Sequence, residues 1–241
     1  MAFTVGTAGW SIPAAHAAAF PGDGTHLARY AGVLRGVEIN SSFYRPHGPA
    51  TYERWAASTP AEFRFSVKCP RAISHDARLD GADEALARFI GEASALGPRW
   101  AVMLVQTPPS LAWHADTATR FFERVHDRFG GAVVCEPRHA SWFTPDVERR
   151  LGALRVARVA ADPASWPGAD LPAGAPSTAY FRWHGSPQRY RSVYDEEWLA
   201  TRVQALRALA AAPARPDVWA IFDNTASGAA LGNALALEAL L

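Results

Sequence analysis

Carboxylates, guanidinium groups, imidazoles and one ammonium gather at the ends of apolar runs in this sequence, a combination that can move protons and hold an anion. GVEIN (36–40) ends in Glu38 and Asn40, FRFSVK (63–68) in Lys68, and AVMLVQ (101–106) in Gln106. AVVCEPR (132–138) carries Glu136 and Arg138 and is followed by His139; AYFRWH (179–184) carries Arg182 and His184; VWAIFDN (218–224) ends in Asp223 and Asn224. Glu38 and Glu136 are the expected proton-handling pair, with His139 as a further acid/base group. Lys68, Arg138 and Arg182 are expected to stabilise negative charge. Substrate contacts are expected from Trp10 at the end of GTAGW, Asn40, Tyr44 and Arg45 in VEINSSFYRP, Gln106 in the rigid QTPPS loop, His184, Tyr190, Asp223 and Asn224. Each has an ordinary reading beside the chemical one: Glu38 salt-bridged to Lys68, His139 capping the next helix, Asp223 or Thr225 capping the last helix.

Lysine is singled out by composition. Lysine and arginine total 24, and Lys68 is the only lysine among them. An ammonium can lose its proton when desolvated, act as a nucleophile or serve as a compact charge, which a guanidinium cannot do in the same way.

Side chains alternate along a strand, so these groups converge only if the runs are strands in matching phase. Eight β-type runs, the six above with FTVGT (3–7) and VARVAAD (156–162), alternate with helix-like segments. That spacing predicts an α/β fold, a single TIM-type (β/α)8 barrel domain over residues 1–241 with its site at the carboxyl ends of the strands. Helix starts are expected at Thr25, Asp83 and Thr144-Pro145, with long helices over 195–212 and 226–241. Residues 162–177, DPASWPGADLPAGAPS, hold four prolines and two glycines, so the sixth crossover is expected to be irregular. If the polar phase faces the lumen, Glu38, Glu136, Asp162 and Asp223 meet Arg64, Lys68, Arg138, Arg158 and Arg182 there. A slight positive surplus of this kind favours an anionic or hydroxyl-rich, sugar-like guest in a gap between the charges.

Net charge is +1 with 20% charged residues, which excludes binding of nucleic acid or membrane by a broad basic field. Two cysteines, without zinc-type spacing, suit a reducing compartment, and no secretory leader or long apolar run is read, so a cytoplasmic location is expected. P-loop, HExxH, GxSxG and EF-hand spacings do not occur. No cofactor is expected. A divalent metal on Glu38, Glu136, His184 and Asp223 is disfavoured by the cations nearby.

The strings GTAGWSIP, VEINSSFYRP, TYERWAASTP with FRFSVK, QTPPS, EPRHASWF, FRWHG with Tyr190, and FDNTASGAALGNA together resemble the YecE-like family, catalogued as a domain of unknown function. The resemblance runs in order over nearly the whole chain. It implies a TIM-type barrel in mainly bacterial cytoplasmic proteins and places Glu38, Asn40, Lys68, Gln106, Glu136, Arg138, His139, Arg182, His184 and Asn224 among the family's motif positions. It implies no reaction. This chain departs from the pattern at Pro137, where an aromatic is usual, and beside Phe20 and Pro21. The leading expectation is an enzyme using acid/base and electrostatic catalysis on a small anionic or hydroxyl-rich substrate. Its alternatives are a non-catalytic module stacking a nucleotide or nucleic-acid end on Trp10, Tyr44, Trp142 and Trp183, and a metal-dependent nuclease-like hydrolase.

Overall fold

Runs rich in valine and phenylalanine form the strands, and capped alanine- and leucine-rich runs between them form the helices, in a computed structural model that describes residues 3–241. In order the chain forms β1 (Phe3–Thr7), α1 (His26–Ala31), β2 (Gly36–Ile39), α2 (Ser41–Tyr44), α3 (Pro49–Ala57) and β3 (Arg64–Lys68). A π-helical turn (Ala72–Asp76), α4 (Asp83–Ala93), β4 (Trp100–Gln106), α5 (Ala115–His126), β5 (Ala132–Glu136) and α6 (Pro145–Ala153) follow. The rest comprises β6 (Val156–Arg158), β7 (Ala160–Asp162), β8 (Ala173–Gly174), β9 (Thr178–Trp183), α7 (Glu196–Ala211), β10 (Asp217–Phe222) and α8 (Ala229–Leu240).

Thr25, Thr144 and Asp195 each accept a hydrogen bond from a backbone N–H in the first turn of α1, α6 and α7, as their residue types favour. Two expected starts differ. Asp83 is the first residue of α4 rather than its cap, where with Glu84 it complements the positive helix end. Helix α8 begins three residues later than expected, after Gly228 in a left-handed conformation (φ 78°), and neither Asp223 nor Thr225 caps it.

Backbone bonding divides the strands into two sheets, in the orders β1-β10-β9-β7 and β2-β3-β4-β5-β6-β8. All pairings are parallel except β6 with β8, so the first sheet is wholly parallel, the second is mixed and the α/β class stands, while the ladder is not continuous around the molecule. One break lies inside the run read as a single strand, VARVAAD. Its first half pairs with β5 and its second with β9. The crossover is irregular as expected and carries the two-residue strand β8.

The other break lies between β1 and β2 and has a visible cause. The Tyr30 hydroxyl, carried in from α1, accepts from the Thr7 N–H (2.9 Å) and donates to the Gly36 carbonyl (3.1 Å), taking a position that a backbone bond would otherwise fill. Beyond it an isolated parallel bridge joins Ala8 to Glu38, with the Gly9 N–H donating to the Glu38 carbonyl (2.8 Å). The strands still approach closely: a Cβ on Gly6 would lie 2.2 Å from the Gly36 oxygen, so glycine is required there. Tyr30→Phe should therefore leave a buried donor and acceptor unpaired and lower stability by about 1–3 kcal/mol, measured by urea denaturation.

Two apolar cores result. Outward strand residues such as Val37, Phe65, Val105, Phe181 and Phe222 pack on helix residues including Leu27, Phe89, Phe122 and Leu199. Inward residues Val102, Leu104, Val134, Val159, Tyr180, Trp219 and Ile221 form a separate cluster between the sheets. The same inward phase, continued toward the strands' carboxyl ends, turns polar.

Candidate functional site

Strand β9 places Tyr180, Arg182 and, one residue past its end, His184 on the inward phase. Register then sets Arg182 beside Ile221 on β10, so Asp223 follows at the next inward position. From the other sheet come Glu38 on β2, Ser66 and Lys68 on β3, and Gln106 and Glu136, which are register partners on β4 and β5.

Arg182 is the hub. Its Nε and Nη2 donate to the two oxygens of Glu38 (2.9 and 2.7 Å), Nη1 donates to Glu136 Oε2 (2.5 Å), and Nη2 also reaches Asp223 Oδ2 (2.8 Å). Tyr180 bridges Glu38 Oε2 and Ser66 Oγ, both at 2.9 Å. Arg138 donates to Glu136 Oε1 through Nε (3.0 Å) and pairs with it through Nη2 (2.7 Å). His184 spans two carboxylates, with Nε2 3.0 Å from Glu136 Oε1 and Nδ1 3.0 Å from Asp223 Oδ2. Only a doubly protonated ring can donate to both at once.

Burial alone would raise the Glu136 carboxyl. Arg138, Arg182 and His184 outweigh it and hold the group well below the usual carboxylate range. Asp223 is lowered in the same sense, burial again being overcome, here by Arg182, His184 and Lys68. Burial works against the Arg182 and Arg138 cations, yet their carboxylate partners raise both. A carboxylate lowered in the folded state contributes stability that is complete above its ordinary value and lost as pH falls through the lowered one. Urea midpoints should therefore hold from about pH 7 to 5 and decline below about pH 4, and Glu136→Gln should flatten the acid part of that curve.

Lys68 differs from every other cation of the cluster. Its residue is only 7% exposed, yet among the described residues no carboxylate lies within the 4.0 Å of an ion pair, and Nζ rests 4.3 Å from the Phe43 ring centre. Burial, then repulsion from Arg182, lowers the ammonium from 10.5 to about 8 against the opposing pull of Glu38, Glu136 and Asp223.

Glu38, Lys68, Glu136, Arg138, Arg182, His184 and Asp223 thus converge as expected. Glu38, however, spends both oxygens on Arg182 and Tyr180 and is fully buried, so it positions Arg182 rather than facing a guest. The expected gap at the centre is filled by the Arg182 guanidinium. That group also occupies the point on which Glu38, Glu136 and Asp223 would close around a metal ion. Solvent reaches the cluster at Arg138 and Asp223, whose side chains are 11% and 12% exposed, and at Lys68.

The expected tally of lumen charges needs correction. Arg158 points outward, with Nη2 on Glu148 (2.9 Å) and its guanidinium over Phe143, because its register partner Cys135 lies in the outer core. Asp162 accepts from the Tyr194 hydroxyl (2.6 Å), and Arg64 turns to the carbonyls of Ala61 and Phe63 at the opposite strand end. Glu38, Glu136 and Asp223 remain against Lys68, Arg138 and Arg182.

Other expected residues divide. Tyr190 meets His184 edge-on at 5.5 Å and stays partly exposed over the cluster. Gln106 lies on the inward phase beside Glu136, and Asn40, just after β2, keeps a buried Oδ1 without a partner. His139 is used as a cap, its Nδ1 accepting from the Ser141 N–H, and it makes no hydrogen bond to the cluster among the described residues. Asn224 is fully buried as a tie between the Ser192 carbonyl and Asn233, which removes it from ligand contact. Trp10 packs edge-on against Trp55 of α3 (5.0 Å) and is partly buried against the outer core. Tyr44 is 79% exposed and Arg45 is also exposed, and among the described residues neither hydrogen-bonds to the cluster. Of the rings expected to stack bases, Trp142 and Trp183 are core residues.

Tyr180, Phe43 and His75 went unread in the sequence. Tyr180 shares phase with Arg182, so alternation could have found it; Phe43 and His75 lie in turns that carry no such signal. His75 sits edge-on to Phe43 at 5.0 Å, and burial followed by Lys68 and Arg71 lowers its proton affinity. A cavity of about 310 Å³ opens between the turn after β1 and the start of α8, lined by Thr7, Ala8, Ser11, Thr225 and Gly228. One of its lining residues, Ala8, forms a backbone bridge with Glu38.

A family model described as "Protein of unknown function DUF72" matches residues 4–241. The UPF0759 protein YecE of Escherichia coli K12 is 30% identical over 133 residues, 52% of this chain and 46% of that protein. The matched region is thus about half the length of that curated relative. Crystal structures of DUF72 family proteins agree in fold: one from Enterococcus faecalis V583 with TM-score 0.81 and 19% identity, covering 100% of this chain and 95% of that one. Another, from Thermotoga maritima MSB8, has TM-score 0.79 and 24% identity, covering 99% and 98% respectively.

Proposed function

We propose, from the premise that this chain belongs to the DUF72 family of proteins of unknown function, that it is an enzyme acting on a small anionic or hydroxyl-rich substrate at the carboxyl ends of its strands. We take the two sheets as a TIM-type barrel with an interrupted ladder, in support of which β6 runs into β7 and Ala8 bridges to Glu38. Barrel enzymes build their sites at this end. The observation that carries the reading is Lys68. A buried cation without an ion-pair partner carries a desolvation penalty that an incoming anion would offset.

Arg182 and Glu38 form a fixed floor in this reading. Lys68 and Arg138 meet the substrate's negative charge, and Asp223, His184 and Glu136 form the hydrogen-bonded path that moves a proton. The cavity beside Ala8 accommodates the remainder of the substrate. A cytoplasmic setting agrees with the two buried free cysteines, and among the described residues no helix is long and apolar enough to cross a membrane.

Sulfate, whose charge is constant over the range, is the probe. Calorimetric titration at low salt should show binding near pH 7 that weakens about tenfold by about pH 9, as the ammonium discharges through about 8. A flat titration, or binding indifferent to pH, would end the reading. The exposed Tyr44 beside Arg45 favours a second reading, a non-catalytic module for a nucleotide or nucleic-acid end. Salt-dependent binding of short oligonucleotides, lost in Tyr44→Ala and without turnover, would select it.

A further inference from the structure

We propose that the Lys68 side chain forms an imine with a small carbonyl compound bearing a carboxylate or phosphate group. The proposal rests on the reading of this rim as a substrate site and names the chemistry done there. Beside His184, the buried carboxylates of this cluster are held by arginine: Arg182 on Glu38, Glu136 and Asp223, and Arg138 on Glu136. The single lysine is placed where, among the described residues, it makes no ion pair, against the apolar face of Phe43 and almost out of solvent. A guanidinium could supply charge at that point. What an ammonium adds is the ability to release its proton and expose a lone pair.

Around it stand Arg182, Glu38, Glu136, Asp223 and His75. Burial and Arg182 outweigh the three carboxylates, so that about a tenth of the side chain is free amine at pH 7 with the ammonium pushed to about 8. That fraction suffices for a nucleophile regenerated by rapid proton exchange.

The nitrogen lone pair attacks the carbonyl carbon and the π pair moves to oxygen. The nitrogen loses a proton and the oxygen gains one, giving a carbinolamine. Protonation of its hydroxyl and expulsion of water by the nitrogen lone pair then form the iminium. Amine and carbonyl give imine and water, with no oxidant or reductant required. Asp223, only one of whose oxygens has a hydrogen-bond partner among the described residues, and His75 are the groups on hand to relay protons. Arg138, partly open and beside Tyr190, is the partner for the substrate's anionic group, which selects a keto acid or phosphorylated aldehyde over a neutral one.

The uniqueness of Lys68 makes trapping unambiguous, since any lysine adduct is an adduct of this residue. The full chain would be incubated with pyruvate, glyoxylate or glycolaldehyde phosphate, reduced with sodium borohydride, and followed by intact mass and peptide mapping. At least one probe should modify Lys68 to completion, at least tenfold faster than a lysine-containing peptide, with a rate that climbs from pH 6 to 8. Propanal should react at least tenfold more slowly, and folded Lys68→Arg should acquire no adduct there. Absence of a Lys68 adduct from all three probes, with sulfate still bound at the rim, overturns the imine alone. Absence of both adduct and sulfate binding overturns the rim reading with it, and equal reaction with propanal overturns the assignment of an anionic substrate.

Discussion

Arg182→Leu is expected to destabilise the protein by about 3–5 kcal/mol, because it strands three carboxylates in a place where water cannot replace the lost cation. The guanidinium has no exposed surface, and Glu38, Glu136 and Asp223 all bond to it. At roughly 2–4 °C per kcal/mol for a chain of this size, the thermal midpoint should fall by about 6–20 °C. Arg182→Lys should fall in between, since an ammonium restores the charge but not the planar fork that grips both oxygens of Glu38. The deficit should shrink near pH 4 as the stranded carboxylates protonate. Calorimetric scans at both pH values test this. An unchanged midpoint for the leucine variant at pH 7 would mean that the cluster holds no strongly coupled charge.

Lys68→Met should act in the opposite direction and raise stability at neutral pH while abolishing anion binding. The proton of an ammonium lowered from 10.5 to about 8 is held more tightly in the unfolded chain than in the native one, so the charge opposes folding. The opposition is complete below pH 8, diminishes between 8 and 10.5, and vanishes above. Its full size is on the order of 3 kcal/mol, and methionine, which can lie against Phe43 without charge, should recover about 1–3 kcal/mol at pH 7. Urea midpoints of the two proteins should converge as pH approaches 10.5. Sulfate affinity should drop at least tenfold in the same variant. A group that destabilises its own fold while serving a ligand is what a functional site permits. Equal stability at pH 7, or retention of sulfate binding, would remove Lys68 from that role.

The strand ends were legible because period-two alternation is a local property of the backbone. Glu38, Lys68, Glu136, Arg182, His184 and Asp223 were placed together from phase alone, and the structure brings them together. VARVAAD shows where that reasoning stops. Alternation groups Arg158 with Asp162 but does not say which way the group faces. Outside the sheets, Glu148, Phe143 and Tyr194 were waiting to receive them. Asn224 and His139 show a related point: an amide or imidazole at a strand end serves a neighbouring loop or helix as readily as a ligand.

By itself the sequence determined the α/β class, the strand runs, most of the helix caps and the set of charges carried toward one end of the sheets, since each depends on spacing within a short stretch of chain. Only the tertiary structure decided that Tyr30 would part β1 from β2, that Glu38 would be consumed by an arginine 144 residues away, and that Lys68 would be left without a partner. Those outcomes turn on distances of a few tenths of an ångström between strands remote in sequence, where hydrogen-bond geometry selects one pairing over another.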